Sequence, residues 1–459
     1  MYVCGPTVYD RPHLGNARSV VIYDVLYRLL KSQYPKVTYV RNITDVDDKI
    51  NKAAKENGET IRTLTERVTS WFHDDMAALN VLPPIDTGDF KMLEPRATEN
   101  IPAMIEMINK LIDQGYAYVA DGHVLFDVTK YEKYGQLSHR SLEEMIAGNR
   151  IEVAPYKKNP GDFVLWKPSK VEDDESSKFQ NRRFNYPGRP GWHIECSAMS
   201  TGILGENFDI HGGGADLMFP HHENEIAQSC CANPGSTYAK FWVHNGFLTV
   251  NGEKMSKSLG NFITVRDLLD KGVKGEVIRL ALLMSKYNEP LDWQENLIHS
   301  AKTLLDAAYR ALARIDGIST TDTIGETQVA KLHPTEAVLN CLFADLNTPF
   351  AISIISSYTA MINGWLDIGE SNYAAVKIIA SRFRDSMQLL GILQENPQHW
   401  FKGNDIGDTT QPIEELINKR IAAKKAKNFA EADRIRDELA KQGIILEDRP
   451  DGTTDWRRT

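Results

Sequence analysis

What this chain of 459 residues lacks narrows its class before any motif is considered. No stretch approaches about 18 uninterrupted apolar residues, so no membrane span is expected. Met1 leads straight into Tyr2, Val3, Cys4 and Gly5 without a basic-then-apolar leader, so no secretory signal is expected and the cytosol is the expected compartment. Cysteine is scarce. Five residues, an odd number, do not make a disulfide framework, and a cytosolic chain keeps thiols reduced. Each cysteine is therefore a core residue, a free thiol or a metal ligand. Positive charge is also in deficit. A net charge of -9 argues against a uniformly basic nucleic-acid binder and leaves room for a local basic surface. Internal repeats and low-complexity tracts are absent. The length exceeds one ordinary core and predicts several domains.

The first fifty residues have an α/β rhythm. Tyr2-Val3-Cys4 reads as a short buried strand. Val21, Val25 and Leu29, with Ile22, Leu26 and Leu30, form a helical stripe. Val37-Thr38-Tyr39-Val40 predicts a second strand. Strand, crossover helix and strand give a parallel unit, the start of a Rossmann-type sheet whose ligand site lies at the carboxyl ends of the strands. That rule places Cys4 to Asn16 and Asn42 to Asp45 at the site. Residues of about 90–195 read as an insertion, with an exposed polar loop at 171–178. The sheet rhythm resumes at Phe208-Asp209-Ile210 and Phe247-Leu248-Thr249-Val250. Helical periodicity dominates from 264 to about 395, interrupted by linkers near 317–325 and 396–412. The last part reads as a helix–turn–helix with a strand-like tail. The expected divisions are a Rossmann-type sheet domain at 1–250, a region at 251–310, a helical bundle at 311–396 and a small C-terminal domain at 411–459.

P-H-L-G-N at 12–16 follows the first strand and opens the first helix. A helix N-terminus offers N–H groups and partial positive charge to phosphate. Gly15 lets a nucleotide approach the backbone, and His13 can hydrogen-bond a phosphate oxygen. Taken alone the motif is weak, since a helix cap with an incidental histidine reads the same way. K-M-S-K-S at 254–258 suits a loop that brings Lys254, Ser256 and Lys257 to a triphosphate. A lone K-x-x-K would be a solvated basic turn; the pair of motifs is specific.

Together the two motifs resemble the signature sequences of class I aminoacyl-tRNA synthetases. M-Y-V-C-G-P-T-V-Y-D at 1–10, N-I-T-D-V-D-D-K-I at 42–50, G-W-H-I-E-C-S-A-M at 191–199 and F-D-I-H-G-G-G-A-D-L-M-F-P-H-H-E-N-E at 208–225 are similar to the cysteinyl-tRNA synthetases, and the likeness runs to the final W-R-R. Family members carry a further stretch ahead of M-Y-V-C-G. A second departure is Asn16, which replaces the more general second histidine of the first motif. Asn still donates and accepts, so activity is expected to survive.

Helix geometry leaves the metal question open. His221 and Glu225 are i, i+4 and His222 and Glu225 are i, i+3, so either pair shares a face. The resemblance implies Cys4, Cys196, His221 and Glu225 as ligands of one zinc ion, a cation that favours thiolate and imidazole. His222 and Glu223 are left with surface or supporting roles, and Cys230, Cys231 and Cys341 with core or free-thiol roles. Zinc binds thiolate strongly and a neutral hydroxyl poorly, so the implied use is to tell cysteine from serine, a pair that an apolar pocket separates by only about 10²-fold. The resemblance further implies ATP with Mg²⁺, L-cysteine and tRNA(Cys) as partners, a monomer, and His13, Asn16, Lys254 and Lys257 as the catalytic residues. Thr44, Trp192, His211 and Asp216 are the expected cysteine and adenylate pocket, with core packing the plain alternative for Trp192. Asp45 is a similar candidate, and Asp47 caps a helix.

Two other strings are set aside. His193-Ile194-Glu195 has no P-C-x-x-C of a zinc deaminase after it, and H-G-G-G at 211–214 has no G-x-S-x-G. At the C-terminus Lys419, Arg420, Lys424, Lys425, Lys427, Trp456, Arg457 and Arg458 suit RNA, by phosphate neutralisation and base stacking, although a solvated helix face reads alike. The resemblance places an anticodon-binding domain there. Two rival functions are a ligase that passes cysteine to an amino sugar and a catalytically dead RNA-binding paralogue. The C-terminal module argues against the first, and the intact motifs against the second.

Overall fold

The structure, a computed structural model, describes residues 1–139, 144, 154–170, 173–184, 186–255, 259–316, 334–369, 372–402, 410–448 and 452–458. Strand β1 (Tyr2–Val3) leads through helix α1 (Leu14–Gln33) to β2 (Val37–Arg41). The β-branched and aromatic residues of β2 favour extended chain, and β1 and β2 pair in parallel, as a crossover helix requires. A hairpin, β3 (Ile85–Asp86) and β4 (Phe90–Leu93), adds β4 parallel to β2, with β3 antiparallel at the edge. The chain then leaves this sheet and builds a second one from β5 (Ala117–Ala120), β6 (His123–Phe126), β7 (Phe163–Pro168), β8 (Phe179–Gln180) and β9 (Pro187–Pro190). Its order is β5-β6-β7-β9-β8, antiparallel throughout.

After the helix Trp192–Leu204 the chain returns as β10 (Asn207–Gly214) and β11 (Tyr238–Asn245). These complete the first sheet in the order β11-β10-β1-β2-β4-β3. This is the α/β fold with a Rossmann-type parallel sheet that the sequence rhythm predicts. Its core joins Tyr2, Val40, Ile194, Cys196, Met199, Phe208 and Tyr238. Strands β12 (Leu248–Val250), β13 (Glu253–Lys254) and β14 (Leu291–Trp293) form a small sheet beyond it.

Helix α1 is buried on more sides than its apolar stripe predicts, and the charged residues this encloses are paired or bonded. Asp24 accepts from Arg28 (2.8 Å), Arg279 (2.5 Å) and the Leu82 N–H (2.9 Å). Tyr23 donates to the carbonyls of Gly213 and Val243 and accepts from the Gly213 N–H, which fastens α1 to β10 and β11.

The chain divides into two compact units. The first holds Met1–Ala301, Val338–Ile352 and Leu389–Ile392; the second holds Lys302–Ala337, Ser353–Gln388 and Leu393–Thr459. In the second, Trp400 stacks on Tyr309 with centroids 4.3 Å apart and donates to Asp306 (2.8 Å). Its last part packs the helices Thr410–Lys425 and Phe429–Lys441 on a hairpin of β15 (Ile444–Asp448) and β16 (Thr454–Arg458). The predicted strand-like tail is thus two strands. Ile413, Ile417, Ile435, Leu439, Ile444 and Trp456 form the core of this module. Of the predicted linkers, 317–325 lies outside the described residues, and the other contains the short helix Pro397–Lys402. In the predicted polar loop, Glu175–Ser177 makes a helical turn. No helix among the described residues is long and apolar enough to cross a membrane.

Candidate functional site

The carboxyl ends of β1, β2, β10 and β11 open on one cleft of about 420 Å³. Cys4 and Gly5 follow β1, Asn42 and Thr44 follow β2, Gly214 ends β10 and Asn245 ends β11. This is where a parallel sheet presents its backbone ends to a ligand. His13, Gly15 and Asn16 line one end, with Lys254 near them; Cys196 and His221 line the other.

At the first end His13 is the N-cap of α1. Its Nδ1 accepts from the N–H of Gly15 (3.0 Å) and of Asn16 (3.3 Å), and Asn16 Oδ1 accepts from the His13 N–H (3.2 Å). The Leu14 N–H donates to the Ile263 carbonyl (3.0 Å) and the Ala17 N–H to His13 O (3.1 Å). The N–H groups that the sequence offers to a phosphate are therefore already satisfied within the protein. Phosphate recognition falls to side chains and to the helix dipole. An Nδ1 that accepts two N–H groups carries no proton, so the proton sits on Nε2 and the ring is a donor to the cleft. Burial pushes the His13 pKa down, and Asp216 pulls weakly the other way. Asn16, with Oδ1 committed, has its amide N–H₂ to offer. A Cβ at Gly15 would lie 2.8 Å from the His13 ring, so glycine makes room for this cap.

At the second end two thiols, an imidazole and a carboxylate converge. Cys4 Sγ lies 3.9 Å from Cys196 Sγ and 3.6 Å from Glu225 Oε1, and His221 Nε2 lies 3.0 Å from Glu225 Oε1. His221 and Glu225 meet across the junction of the wide turn Met218–His222 and the helix Glu223–Ala232. His221 Nε2 is buried, with Glu225 Oε1 as its neighbour. Burial pushes the Cys4 thiol well up. The hydrogen bond from Cys4 holds Cys196 down at about 6. Burial alone would lower His221, but Glu225 and Cys196 bring it up to about 10. Burial likewise opposes charge on Glu225, and His211 and His221 more than offset it.

A second set, Cys4, His211, His222 and Glu225, also brings four donor atoms together. It shares two members with the first and has one sulfur instead of two. Cys4, Cys196 and His221 line the cleft, whereas His211, His222 and Glu225 do not.

The remaining expected residues fall in several places. Thr44 lines the cleft; its hydroxyl accepts from Asn42 Nδ2 and donates to Glu195, both at 3.1 Å. Trp192 lines it too. The indole is 41% exposed and stacks on His221 at 4.3 Å, so it is not a core residue. Asp216 lines the cleft, and a Cβ at Gly214 would meet its carboxylate oxygen at 2.4 Å. His211 does not line the cleft. It sits within β10, fully buried, where Nε2 bonds Glu225 Oε2 (2.9 Å) and the ring stacks on Trp242. Asp45 accepts from the N–H and hydroxyl of Thr98, and Asp47 caps the helix Asp48–Asn57. Lys254 is exposed at the end of β13; Ser256 and Lys257 lie outside the described residues.

His222 and Glu223 are buried, not on the surface. His222 bonds His244 (2.8 Å), and Glu223 accepts from the N–H groups of Gly135 and Ser138. Sequence reasoning missed His244 and Tyr238, and it placed Asn42 at the site without a role. Tyr238 donates to Glu225 (2.8 Å), and Asn42 accepts from the Gly5 N–H (2.9 Å). Nothing local in the sequence marks the first two, since their partners are remote in the chain. Cys230 and Cys231 stay outside the cluster and in no disulfide, and Cys341 is a buried thiol.

In the C-terminal module Trp456 is core, so it cannot stack on a base. Arg420 and Lys424 are held by Asp448, at 2.8 Å and 2.6 Å. Of the lysines that the sequence singles out, Lys419, Lys425 and Lys427 are exposed. Beside them Phe429, which sequence reasoning passed over, is 62% exposed at the start of its helix.

Comparison with known proteins agrees with this geometry. Residues 1–303 match the family model of the class I (C) tRNA synthetase catalytic domain, and residues 407–457 that of the cysteinyl-tRNA ligase anticodon binding domain. The cysteine–tRNA ligase of Paramagnetospirillum magneticum is 54% identical over 460 residues, covering 100% of this chain and 94% of that protein. That of Rickettsia bellii is 52% identical over 463 residues, with 100% and 94% covered. Among solved structures, Mycobacterium tuberculosis methionyl-tRNA synthetase in complex with methionyl-adenylate aligns with a TM-score of 0.57 at 16% identity, over 85% of this chain and 89% of that one. Thermus thermophilus arginyl-tRNA synthetase aligns at 0.53 and 12% identity, over 86% and 82%. At such identities these two speak for the fold alone. With family models matched over its catalytic and C-terminal parts and relatives matched along its whole length, the chain belongs to the cysteine–tRNA ligases, class I aminoacyl-tRNA synthetases.

Proposed function

We propose that the cleft activates L-cysteine with ATP and passes the cysteinyl group to the 3′-terminal adenosine of tRNA(Cys), with one zinc ion held by Cys4, Cys196, His221 and Glu225. The observation that carries this reading is that Cys4, Cys196 and His221 of the thiol–imidazole–carboxylate cluster and the P-H-L-G-N cap line one cavity. Side-chain recognition and carboxylate activation can therefore act on one small amino acid.

The donor set fits zinc. Two ligands at a Zn–S distance of about 2.3 Å in tetrahedral geometry stand about 3.8 Å apart, close to the 3.9 Å between the two sulfurs. His221 Nε2, buried beside Glu225 Oε1, supplies imidazole, and Glu225 supplies oxygen. His211 and Tyr238 fix the other carboxylate oxygen, as partners of a metal ligand do. Bound there, zinc would offer the substrate thiolate a bond that serine's hydroxyl cannot match.

In the first step a cysteine carboxylate oxygen bonds to the α-phosphorus of ATP, and the bond to the bridging oxygen breaks as pyrophosphate leaves. Such displacements need positioning and charge neutralisation more than a covalent nucleophile. His13 donates from Nε2, Asn16 from its amide, and Lys254 and Lys257 supply ammonium groups; Gly15 and Ser256 complete this end, and Mg²⁺ accompanies the nucleotide. Thr44, Trp192 and Asp216 surround the amino acid and adenylate. In the second step a hydroxyl of the terminal ribose attacks the cysteinyl carbonyl, and AMP leaves. The anticodon end of tRNA meets the module of residues 411–459, at its exposed lysines and Phe429. The reading includes a monomer working in the cytosol.

Cysteine-dependent ATP–pyrophosphate exchange tests the first step and tRNA charging the second. Exchange that ignores cysteine would end the proposal. Normal exchange without charging would shift the acceptor from tRNA to a small amine.

A further inference from the structure

Arg18 is fully buried on α1, one turn beyond Gly15. No carboxylate offsets its burial, which pushes its pKa down to about 10. Its guanidinium instead donates to four carbonyl oxygens of two different segments. NH1 reaches Gly246 O (2.9 Å) and Phe247 O (2.8 Å); NH2 reaches Lys286 O (3.0 Å) and Glu289 O (2.7 Å). Each terminal nitrogen thus holds one segment. Gly246 and Phe247 are cleft wall and run into β12, which pairs with β13, the strand that ends at Lys254. The loop 286–290 runs into β14, the other neighbour of β12. The segments are themselves in contact: the Gly246 N–H donates to Tyr287 O (2.7 Å), and a Cβ at Gly246 would lie 2.3 Å from Glu289 O.

We infer that Arg18 is a positioning residue for the activation step, setting the distance between the His13 end of α1 and the strands that carry Lys254. A planar fork with donors on two separate nitrogens is what the task requires. A lysine presents its donors from a single point and can serve one segment but not both. The inference rests on the reading of the cleft as the ATP site. Arg18 does not itself line that cleft; it acts through the backbone it holds. Misplacing groups that must neutralise a phosphate costs rate and nucleotide affinity and leaves the thiol end of the cleft alone.

The test is steady-state pyrophosphate exchange with Arg18→Lys and Arg18→Gln, with thermal unfolding measured beside it. The expected result is a fall in kcat/KM for ATP on the order of 10²-fold, with the KM for cysteine and the zinc content unchanged. Arg279→Lys is the control. That arginine is equally buried but bonds Leu390 O, Leu79 O and Asp24, so its loss should lower stability and leave the ratio of the two KM values alone. An unchanged ATP dependence in Arg18→Lys beside a loss in His13→Ala overturns the role given to Arg18. An unchanged ATP dependence in both overturns the ATP reading itself. Parallel losses toward ATP and cysteine, or failure of both Arg18 variants to fold, would make the bridge a support of the fold only.

Discussion

Replacing Cys196 by serine breaks the thiol cluster with the smallest change of shape. The residue is 2% exposed, and its sulfur is 3.9 Å from Cys4 Sγ. A metal ligand must be deprotonated, and a serine hydroxyl holds its proton at neutral pH. Structural zinc sites contribute an apparent free energy of about 10–16 kcal/mol over four ligands. One ligand is then worth about 2.5–4 kcal/mol, or on the order of 10²-fold to just under 10³-fold in affinity. After dialysis against a weak chelator the native chain should keep one zinc and Cys196→Ser very little. The cysteine KM in pyrophosphate exchange should rise by on the order of 10²-fold or more, while the ATP KM stays put. Cobalt in place of zinc adds a direct readout, because the intensity of the sulfur-to-metal charge-transfer band counts bound thiolates. The set with Cys196 has two sulfurs and the set with His211 and His222 has one. Full zinc retention by Cys196→Ser, or a single-thiolate cobalt spectrum for the native chain, would refute the assignment.

Three further outcomes are expected. Lys254→Ala should slow cysteine-dependent exchange by on the order of 10²-fold, the usual cost of one well-placed charge, with zinc content intact; a native single-turnover activation rate would count against a role for this lysine. Asp24→Asn leaves Arg279 buried without its carboxylate and should cost about 3–5 kcal/mol in denaturant unfolding. Burial opposes ionisation of Asp24, yet Arg279 and Arg28 hold its pKa below the ordinary value. This contribution is therefore full above the unfolded carboxylate range and is lost as pH falls through the lower folded value; a pH–stability slope equal in native and Asp24→Asn proteins would show the sign to be wrong. Phe429→Ala should raise the KM for tRNA by the loss of one stacking contact, about 1–3 kcal/mol, with exchange unaltered; an unchanged tRNA KM would remove this ring from the interface.

The sequence exposed whatever depends on local pattern. The stripe of Val21, Val25 and Leu29 and the β-branched run at 37–40 are visible because helix and strand periods differ. The carboxyl-end rule then puts Cys4, Asn16 and Thr44 on one cleft. His211, expected in the pocket with the glycines that follow it, does not line the cleft because it lies inside β10, three residues short of its end, and faces the helix that carries Glu225. At His13 the helix-cap reading holds and is compatible with the phosphate reading. The ring is a helix cap through Nδ1, and that leaves Nε2 as the donor. Trp456 was misread because alternation along a five-residue strand decides which side chain turns inward, and the C-terminal tail gave no second strand against which to judge it. Arg18 was invisible because its acceptors are backbone oxygens more than two hundred residues away, and no side-chain type announces them.

The thiol cluster also bears on how the molecule is made. Cys4 and Glu225 are 221 positions apart, and the sulfur at 196 arrives on a third element. A zinc finger closes a short loop and can fold around its ion. Here the loop closure is long and is completed by the parallel sheet, so the four donors meet only after β1 and β10 have paired. Metal loading would then be a late event in biogenesis, possible only after residue 225 has left the ribosome. A chelator added during refolding should leave the sheet domain native and empty, and zinc supplied afterwards should be taken up at once.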